Sequence, residues 1–435
     1  MKARVHCTEA LRGRLNPPSS KNYTTRYLLV AALADGDSVV HYPAQSQDAD
    51  VLRRCLGDLG ASIREEFDAD GERHLHIRGF GSNPASPGVL DVGNAGAVAR
   101  MLMGIGGLLP EVRFETPFAE SLGQRPHDEL FCGLQQLGAT TEAVDGHLPA
   151  VIHGGNLHGG TVRISGSRSS QFLSSLLLIA PLVGEDVRIE ITDELLSQPL
   201  VHTTLEVMRE AGITVEAAPD LMAFDISGRQ SYTPGEYSVN GDWPSSAAIL
   251  AAGALTNSGV IVERLFDDRQ GERAVLELLR DMGVDVSWDG RCVELRGHDG
   301  LRGVDFDGDQ ATDAVLAMLP LAAHAEGTSR FYGVGNLRYK ECNRITVPVN
   351  ELRRFGVDCH EEDDAIVIRG NPDGYDGGHE AETHHDHRVA QMQALMGLRS
   401  RRGVVVLDAE TVGKSYPAFF EDLVALGAAI DIEAT

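Results

Sequence analysis

Six times along the chain an amphipathic helical pattern runs into a glycine and continues as a short strand, as in "LRRCLGDLGASIREE", "LFCGLQQLGATTEAV" and "VNELRRFGVDCHEED". The glycines are Gly60, Gly138, Gly212, Gly283, Gly356 and Gly427, separated by 71 to 78 residues. Glycine suits the left-handed position that ends a helix, where a side chain would clash with the backbone. Interleaved with this is a second pattern, an almost wholly apolar helix, a glycine-containing turn and a strand, as in "LLVAALADGDSVVHY", "ILAAGALTNSGVIVE" and "MGLRSRRGVVVLDAE". A helix apolar on nearly every face has to be buried on nearly every face. Two interleaved patterns that keep register six times describe six copies of one unit. The predicted fold class is α/β, with two domains of three units each, every unit carrying one buried helix, one amphipathic helix and several strands.

A buried helix leaves its first N–H groups in need of partners, so the residues just before each one carry information. They read "PSSKNYTTR", "GNAGAVAR", "GSRSSQF", "NGDWPSSA", "DQATDAV" and "HHDHRVA". Each offers Ser, Thr, Asn or Asp as a cap, and six caps are the plainest reading. A helix start also attracts phosphate or carboxylate, because its free N–H groups and macrodipole present positive charge.

Charge distribution adds to this. The formal net charge is -26 and only four of the 38 basic residues are lysines, Lys2, Lys21, Lys340 and Lys414. Such a surface repels nucleic-acid backbones and anionic membranes, which excludes both as partners. Three of the four lysines nevertheless fall in or near polar segments, joined by Arg26, Arg100, Arg125, Arg338, Arg344 and Arg388. An acidic chain that places its scarce lysines there is building a pocket for small polyanions. The cysteines, Cys7, Cys55, Cys132, Cys292, Cys342 and Cys359, form no C-x-x-C pair and are read as reduced thiols. With neither a membrane-length apolar run nor a secretory leader pattern, a cytoplasmic location is expected. A zinc site built from His379, His384, His385 and His387 is a further reading of "THHDHRVAQM".

The segments "SSKNYTTRYLLVAALADG", "GNAGAVAR", "SSQFLSSLLLIAPL", "LRYKECNR", "DHRVAQM" and "GKSYPAFFEDL" resemble, in order and spacing, the motifs of the EPSP synthases within the enolpyruvyl transferase family. The resemblance implies an inside-out α/β barrel fold of six βαβαββ repeats. Residues 21–240 would form one three-repeat domain and 1–20 with 241–435 the other, with the active site in the cleft between them. It also implies transfer of the enolpyruvyl group of phosphoenolpyruvate to the 5-hydroxyl of shikimate 3-phosphate, by a monomer without cofactor or metal.

By motif match, Lys21, Gly96, Arg125, Gln171, Arg344, Arg388 and Lys414 would hold phosphoenolpyruvate. Asn22, Arg26, Ser169, Ser170, Gln171, Ser197, Asp313, Asn336 and Lys340 would hold the phosphorylated acceptor, and Asp313, Glu341 and Lys21 would move protons. Asp386 and His387 would order the mouth of the helix that carries Arg388, while His384 and His385 would be solvated. The sequence departs from the usual pattern at Ser19, Asn22, Ala97, Leu200, Cys342 and Asn343. The departures near the acceptor leave room for a different acceptor, such as a nucleotide hydroxyl. A non-catalytic anion-binding relative is a third reading, opposed by the presence together of Asp313, Glu341 and Lys21. The cell-wall enolpyruvyl transferases are disfavoured, because "FAESLGQRPHD" lacks their cysteine.

Overall fold

The computed structural model describes residues 1–69 and 71–433. Its α-helices are α1 (Lys21–Leu33), α2 (Gln47–Asp58), α3 (Gly96–Gly106), α4 (Asp128–Gln136), α5 (Ser170–Ile179) and α6 (Gln198–Glu210), followed by α7 (Trp243–Leu255), α8 (Val275–Asp281), α9 (Val315–Ala323), α10 (Thr346–Phe355), α11 (His387–Arg399) and α12 (Phe419–Ala425). The odd-numbered helices are the apolar ones of the sequence pattern. Every residue of α7 and α9 is buried, and α11 is buried from His387 to Leu398. The even-numbered helices bury one face, as α10 does through Pro348, Val349, Leu352 and Phe355.

Among the described residues the strands form six four-stranded sheets, each with the same pairing pattern. In residues 89–153, Val89–Asp91 runs parallel to Val112–Glu115, which pairs antiparallel with Ala150–His153, and Thr140–Ala143 lies beyond. Leu90, Phe114 and Ala150 share one register row and are all buried, so this row is the face turned to the helices. α3 makes the crossover between the two parallel strands, as parallel neighbours require. The βαβαββ unit therefore occurs six times, in keeping with the sequence periodicity.

The chain divides into two compact units, Ser19–Val239 and Met1–Pro18 with Asn240–Thr435. In the first, Glu236–Ser238 returns to pair in parallel with Asp37–His41, completing a sheet begun two hundred residues earlier. In the second, the chain start completes two sheets. Lys2–Val5 lies between Val404–Val406 and Ile430–Glu433, and Gly13–Leu15 pairs in parallel with Val260–Val262. Within this unit α7, α9 and α11 pack pairwise against one another, as mutually covering apolar cylinders. Among the described residues no helix is long and apolar enough to cross a membrane.

All six repeat glycines have positive φ, between 84° and 106°. Gly356 ends α10 with φ 95°, and a Cβ there would meet only Tyr375 Cδ1 at 3.9 Å. Its requirement for glycine is therefore backbone conformation and not space. Gly57 lies inside α2 without a positive φ, and a Cβ added there would have no neighbour within 4 Å. Gly356→Ala should destabilise by about 1 kcal/mol or more, whereas Gly57→Ala should stabilise by roughly 0.5–1 kcal/mol. Thermal unfolding should show opposite shifts for the two variants.

Candidate active site and the helix mouths

Four of the six buried helices start with a side-chain cap. Ser20, Ser169, Asp242 and Asp386 accept from the backbone N–H of Tyr23, Gln171, Ser245 and Arg388 respectively. The other two depart from the expected pattern. The N-cap of α3 is Ala95 and makes no side-chain bond, so Asn94 does not cap it. α9 begins only at Val315, after a 3-10 turn over Gly308–Ala311, and its N-cap is Ala314. Asp313 is therefore no cap. Both exceptions occur where side chains proposed for chemistry crowd the mouth.

In the unit Ser19–Val239, Lys21 opens α1 and pairs at 3.2 Å with Asp48, a buried residue in the first turn of α2. Arg26, one turn further along α1, is buried and spends its donors on Thr204 Oγ1 at 2.8 Å, the Asn22 carbonyl at 3.0 Å and the Leu200 carbonyl at 3.1 Å. Burial lowers its pKa to about 10. Its guanidinium thus ties α1 to α6, whose N-cap Ser197 adopts a left-handed φ of 54°.

At the mouth of α3 the backbone has room for no side chain. A Cβ on Gly96 would lie 2.2 Å from Arg125 Nη1, so the guanidinium rests directly on the glycine. Arg100, on the next turn of α3, donates to Ser169 Oγ at 3.2 Å, Gln171 Oε1 at 3.0 Å and the Pro126 carbonyl at 3.2 Å, and stacks on Phe172. It thereby draws Ser169, Ser170 and Gln171, at the start of α5, toward the α3 mouth. His127 is buried beside these arginines, and burial followed by the charges of Arg100 and Arg125 holds its pKa well below the usual range.

In the other unit the cations and carboxylates meet in one buried network. Arg344 is 2% exposed and donates through Nε to Asp386 Oδ2 at 2.7 Å and through Nη2 to Asp386 Oδ1 at 3.0 Å. The same Nη2 lies 2.8 Å from Glu341, and Nη1 lies 3.4 Å from Asp313. Lys414, at the end of a 3-10 turn over Ala409–Lys414, closes the chain of ions at 3.0 Å from Glu341. Burial alone would lower the pKa of Arg344, but Asp386 and Glu341 outweigh it and raise it. A two-pronged Arg–carboxylate fork fixes direction as well as distance.

Asp386 does double duty, holding Arg344 and capping the backbone of Arg388 at 2.8 Å. Arg388 is buried, with Nη1 on the Pro244 carbonyl and on Gln391 Oε1, both at 3.2 Å. Its Nε has no hydrogen-bond partner among the described residues. Asn336 is buried in a 3-10 turn over Gly335–Tyr339 and Lys340 follows it, half-buried. Asn343 Oδ1 accepts from the N–H groups of Ile345 and Thr346, both at 3.1 Å, and so caps the start of α10. Cys342 packs against Asp386, and burial raises its thiol pKa.

The histidines in and near "THHDHR" go to separate places. His379 packs edge-on against Phe355, and His385 is exposed. His384 is not simply solvated, for its Nε2 meets Glu351 Oε1 at 3.2 Å, and that bond raises its pKa. His384 and His385 both have positive φ, a kink that turns the chain into Asp386. Among the described residues no group of three metal-binding side chains converges.

The EPSP synthase (3-phosphoshikimate 1-carboxyvinyltransferase) family profile matches residues 5–423. The chain belongs to this family. A 3-phosphoshikimate 1-carboxyvinyltransferase of Deinococcus radiodurans is 41% identical over 433 residues, covering 99% of this chain and 97% of the relative. A solved EPSP synthase from Acinetobacter baumannii superposes with a TM-score of 0.80 at 25% identity, covering 100% of this chain and 99% of that one. The enolpyruvyl transferase NikO from Streptomyces tendae shares the fold, with a TM-score of 0.79 at 19% identity over 99% of this chain and 98% of its own. The family fold of six repeats is thus the fold of this chain.

Asp48 and Arg100 contact Lys21, Ser169 and Gln171 but were not supplied by the motif match, because an acidic residue in a first helical turn and an arginine on an apolar helix are common. Removing Asp386 should take both prongs of the fork from a buried guanidinium and leave its Nε without a carboxylate. Asp386→Ala is expected to destabilise its unit by about 3–5 kcal/mol, and Asp386→Asn by less, because the amide oxygen still caps α11. Urea denaturation of the two variants checks this order.

Proposed function

We propose that this chain transfers the enolpyruvyl group of phosphoenolpyruvate to the 5-hydroxyl of shikimate 3-phosphate, giving 5-enolpyruvylshikimate 3-phosphate and phosphate. The observation that carries this at the level of residues is the buried network in which Arg344 and Lys414 hold both Asp313 and Glu341. Cations proposed for substrate anions and carboxylates proposed for proton transfer belong there to one ion cluster. Membership of the EPSP synthase family across residues 5–423 supports the reaction itself.

Both substrates are polyanions, and their approach needs fixed positive charge to offset repulsion. Lys21, Gly96, Arg125, Gln171, Arg344, Arg388 and Lys414 hold phosphoenolpyruvate. The partnerless Nε of buried Arg388 and the bare Gly96 surface beneath Arg125 both favour an anion at these arginines. Asn22, Ser169, Ser170, Gln171, Ser197, Asp313, Asn336 and Lys340 hold the acceptor. Arg26 supports it from behind, through the Asn22 backbone and α6.

In the addition step the acceptor hydroxyl gives up its proton, its oxygen bonds to the central carbon of phosphoenolpyruvate, and the methylene carbon gains a proton. In the elimination step that carbon loses a proton, the bond to phosphate breaks and the double bond returns. Asp313, Glu341 and Lys21 carry these transfers, two carboxylates and an ammonium being sufficient for the exchange. We place the reaction in the cytoplasm, where the six free cysteines stay reduced. Its partners are the two small anions, and nucleic acid is not among them.

Lys21→Ala and Arg388→Ala should each lose on the order of 100-fold in turnover, the usual scale for removing a charge contact made in the transition state. Phosphate release from phosphoenolpyruvate and shikimate 3-phosphate measures it, and a panel of nucleotides in place of shikimate 3-phosphate should release none. Near-normal kinetics in both variants would sink the assignment. Gly96→Ala should push Arg125 aside and raise the KM for phosphoenolpyruvate, with the KM for shikimate 3-phosphate little changed. Steady-state kinetics with each substrate varied in turn separates the two.

A further inference from the structure

Glu272 lies in a 3-10 turn over Gly271–Ala274 that leads into α8, and it is 4% exposed. Its Oε1 accepts the backbone N–H of Asp313 at 3.3 Å. The neighbouring Gln270 pins this turn to the mouth of α7, bonding Trp243 N at 3.1 Å, the Gly241 carbonyl at 3.0 Å and Asp268 Oδ2 at 2.8 Å. Two acidic groups face Glu272 from other elements, Asp313 from the approach to α9 and Asp242 from the mouth of α7. The basic residue on its own turn, Arg273, is turned to Asp267 and Trp288. Among the described residues no cation lies within ion-pair distance of Glu272, whereas Asp313 has Arg344 at 3.4 Å.

Two interacting carboxyl groups, a buried one without a cation and a partly exposed one beside Arg344, can divide the labour. An adjacent cation favours the charged form of a carboxyl, and burial beside like charge favours the protonated form. We propose that Glu272 is a positioning residue for Asp313, a neutral carboxylic acid that fixes the Asp313 backbone and leaves Asp313 as the ionised member of the pair. This rests on the assignment of Asp313 to proton transfer made above. Burial first, then Asp313 and Asp242, raises the pKa of Glu272 to about 8.

An ionised Glu272 would bring an uncompensated negative charge beside Asp313, disfavouring the anionic acceptor and the charged form of Asp313. The intact enzyme should therefore lose kcat/KM as pH rises through about 8, mainly through KM for shikimate 3-phosphate. Glu272→Gln keeps an oxygen acceptor for the Asp313 N–H and cannot ionise. It should retain near-normal turnover at pH 7 and lack the alkaline fall near pH 8. Glu272→Ala loses the acceptor and should drop kcat about tenfold at pH 7, the scale of a small misplacement of a reacting group.

A second readout needs no catalysis. A carboxyl whose folded pKa lies above its unfolded value costs stability progressively as pH rises between the two, here from about 4.5 to about 8. The thermal midpoint of Glu272→Gln should fall less over that range than that of the intact chain. An unchanged alkaline limb in Glu272→Gln, loss of its activity at pH 7, its failure to fold, or an equal stability slope would each overturn the proposal. Normal turnover in Asp313→Asn would instead overturn the role of Asp313, so the two failures are distinguishable.

Discussion

A helix with apolar side chains on every face has no solvent side, and the rest of this architecture follows from covering it. One βαβαββ repeat supplies a sheet on one flank and an amphipathic helix on another, which leaves the buried helix bare elsewhere. In the unit holding α7, α9 and α11, the three apolar helices complete one another's cover. Three repeats are thus the smallest closed arrangement, and one repeat alone would expose what it needs to hide. The same burial isolates the helix starts from bulk water, so their N–H groups must find side chains or anions. Polar, charge-bearing mouths are a consequence of the packing before they are a feature of function.

The ion cluster around Arg344 shows how such a mouth can hold charge at 2% exposure. Desolvating a guanidinium is unfavourable, and mutual attraction offsets it only when geometry is good and remaining donors are satisfied. Here one carboxylate takes two prongs of the fork and two others sit at its flanks. The arrangement adds little net stability compared with a well-packed apolar core, yet it holds Asp313 and Glu341 at set distances from one guanidinium, and Lys414 through Glu341. Asp386 is the link between fold and site, since the same carboxylate that caps α11 also aims Arg344. A change there acts on helix start and ion geometry together.

Much of the fold was legible because its signals are local. Gly60 through Gly427 carry the left-handed φ that the pattern demanded, and the odd helices are buried as their composition required. Capping was less legible. Asn94 and Asp313 are reasonable cap residues by type, yet α3 and α9 begin one or two positions later, where Arg125 and Glu272 crowd the approach. His384 read as a solvated side chain, but its partner Glu351 stands thirty-three positions away and no pattern joins them.

The sequence by itself determined the repeat, the helix ends, the segregation of apolar from amphipathic helices and the residue types at each mouth. All of these depend on side-chain periodicity or on the φ that one residue tolerates. Only the tertiary structure decided that Arg344 should be shared among Asp313, Glu341 and Asp386, that Lys21 should lie on Asp48, and that Arg26 should turn to α6. Those outcomes depend on which charges are brought within a few ångströms in a place water cannot reach, and Coulomb energy there depends on distance and burial that residue order does not encode.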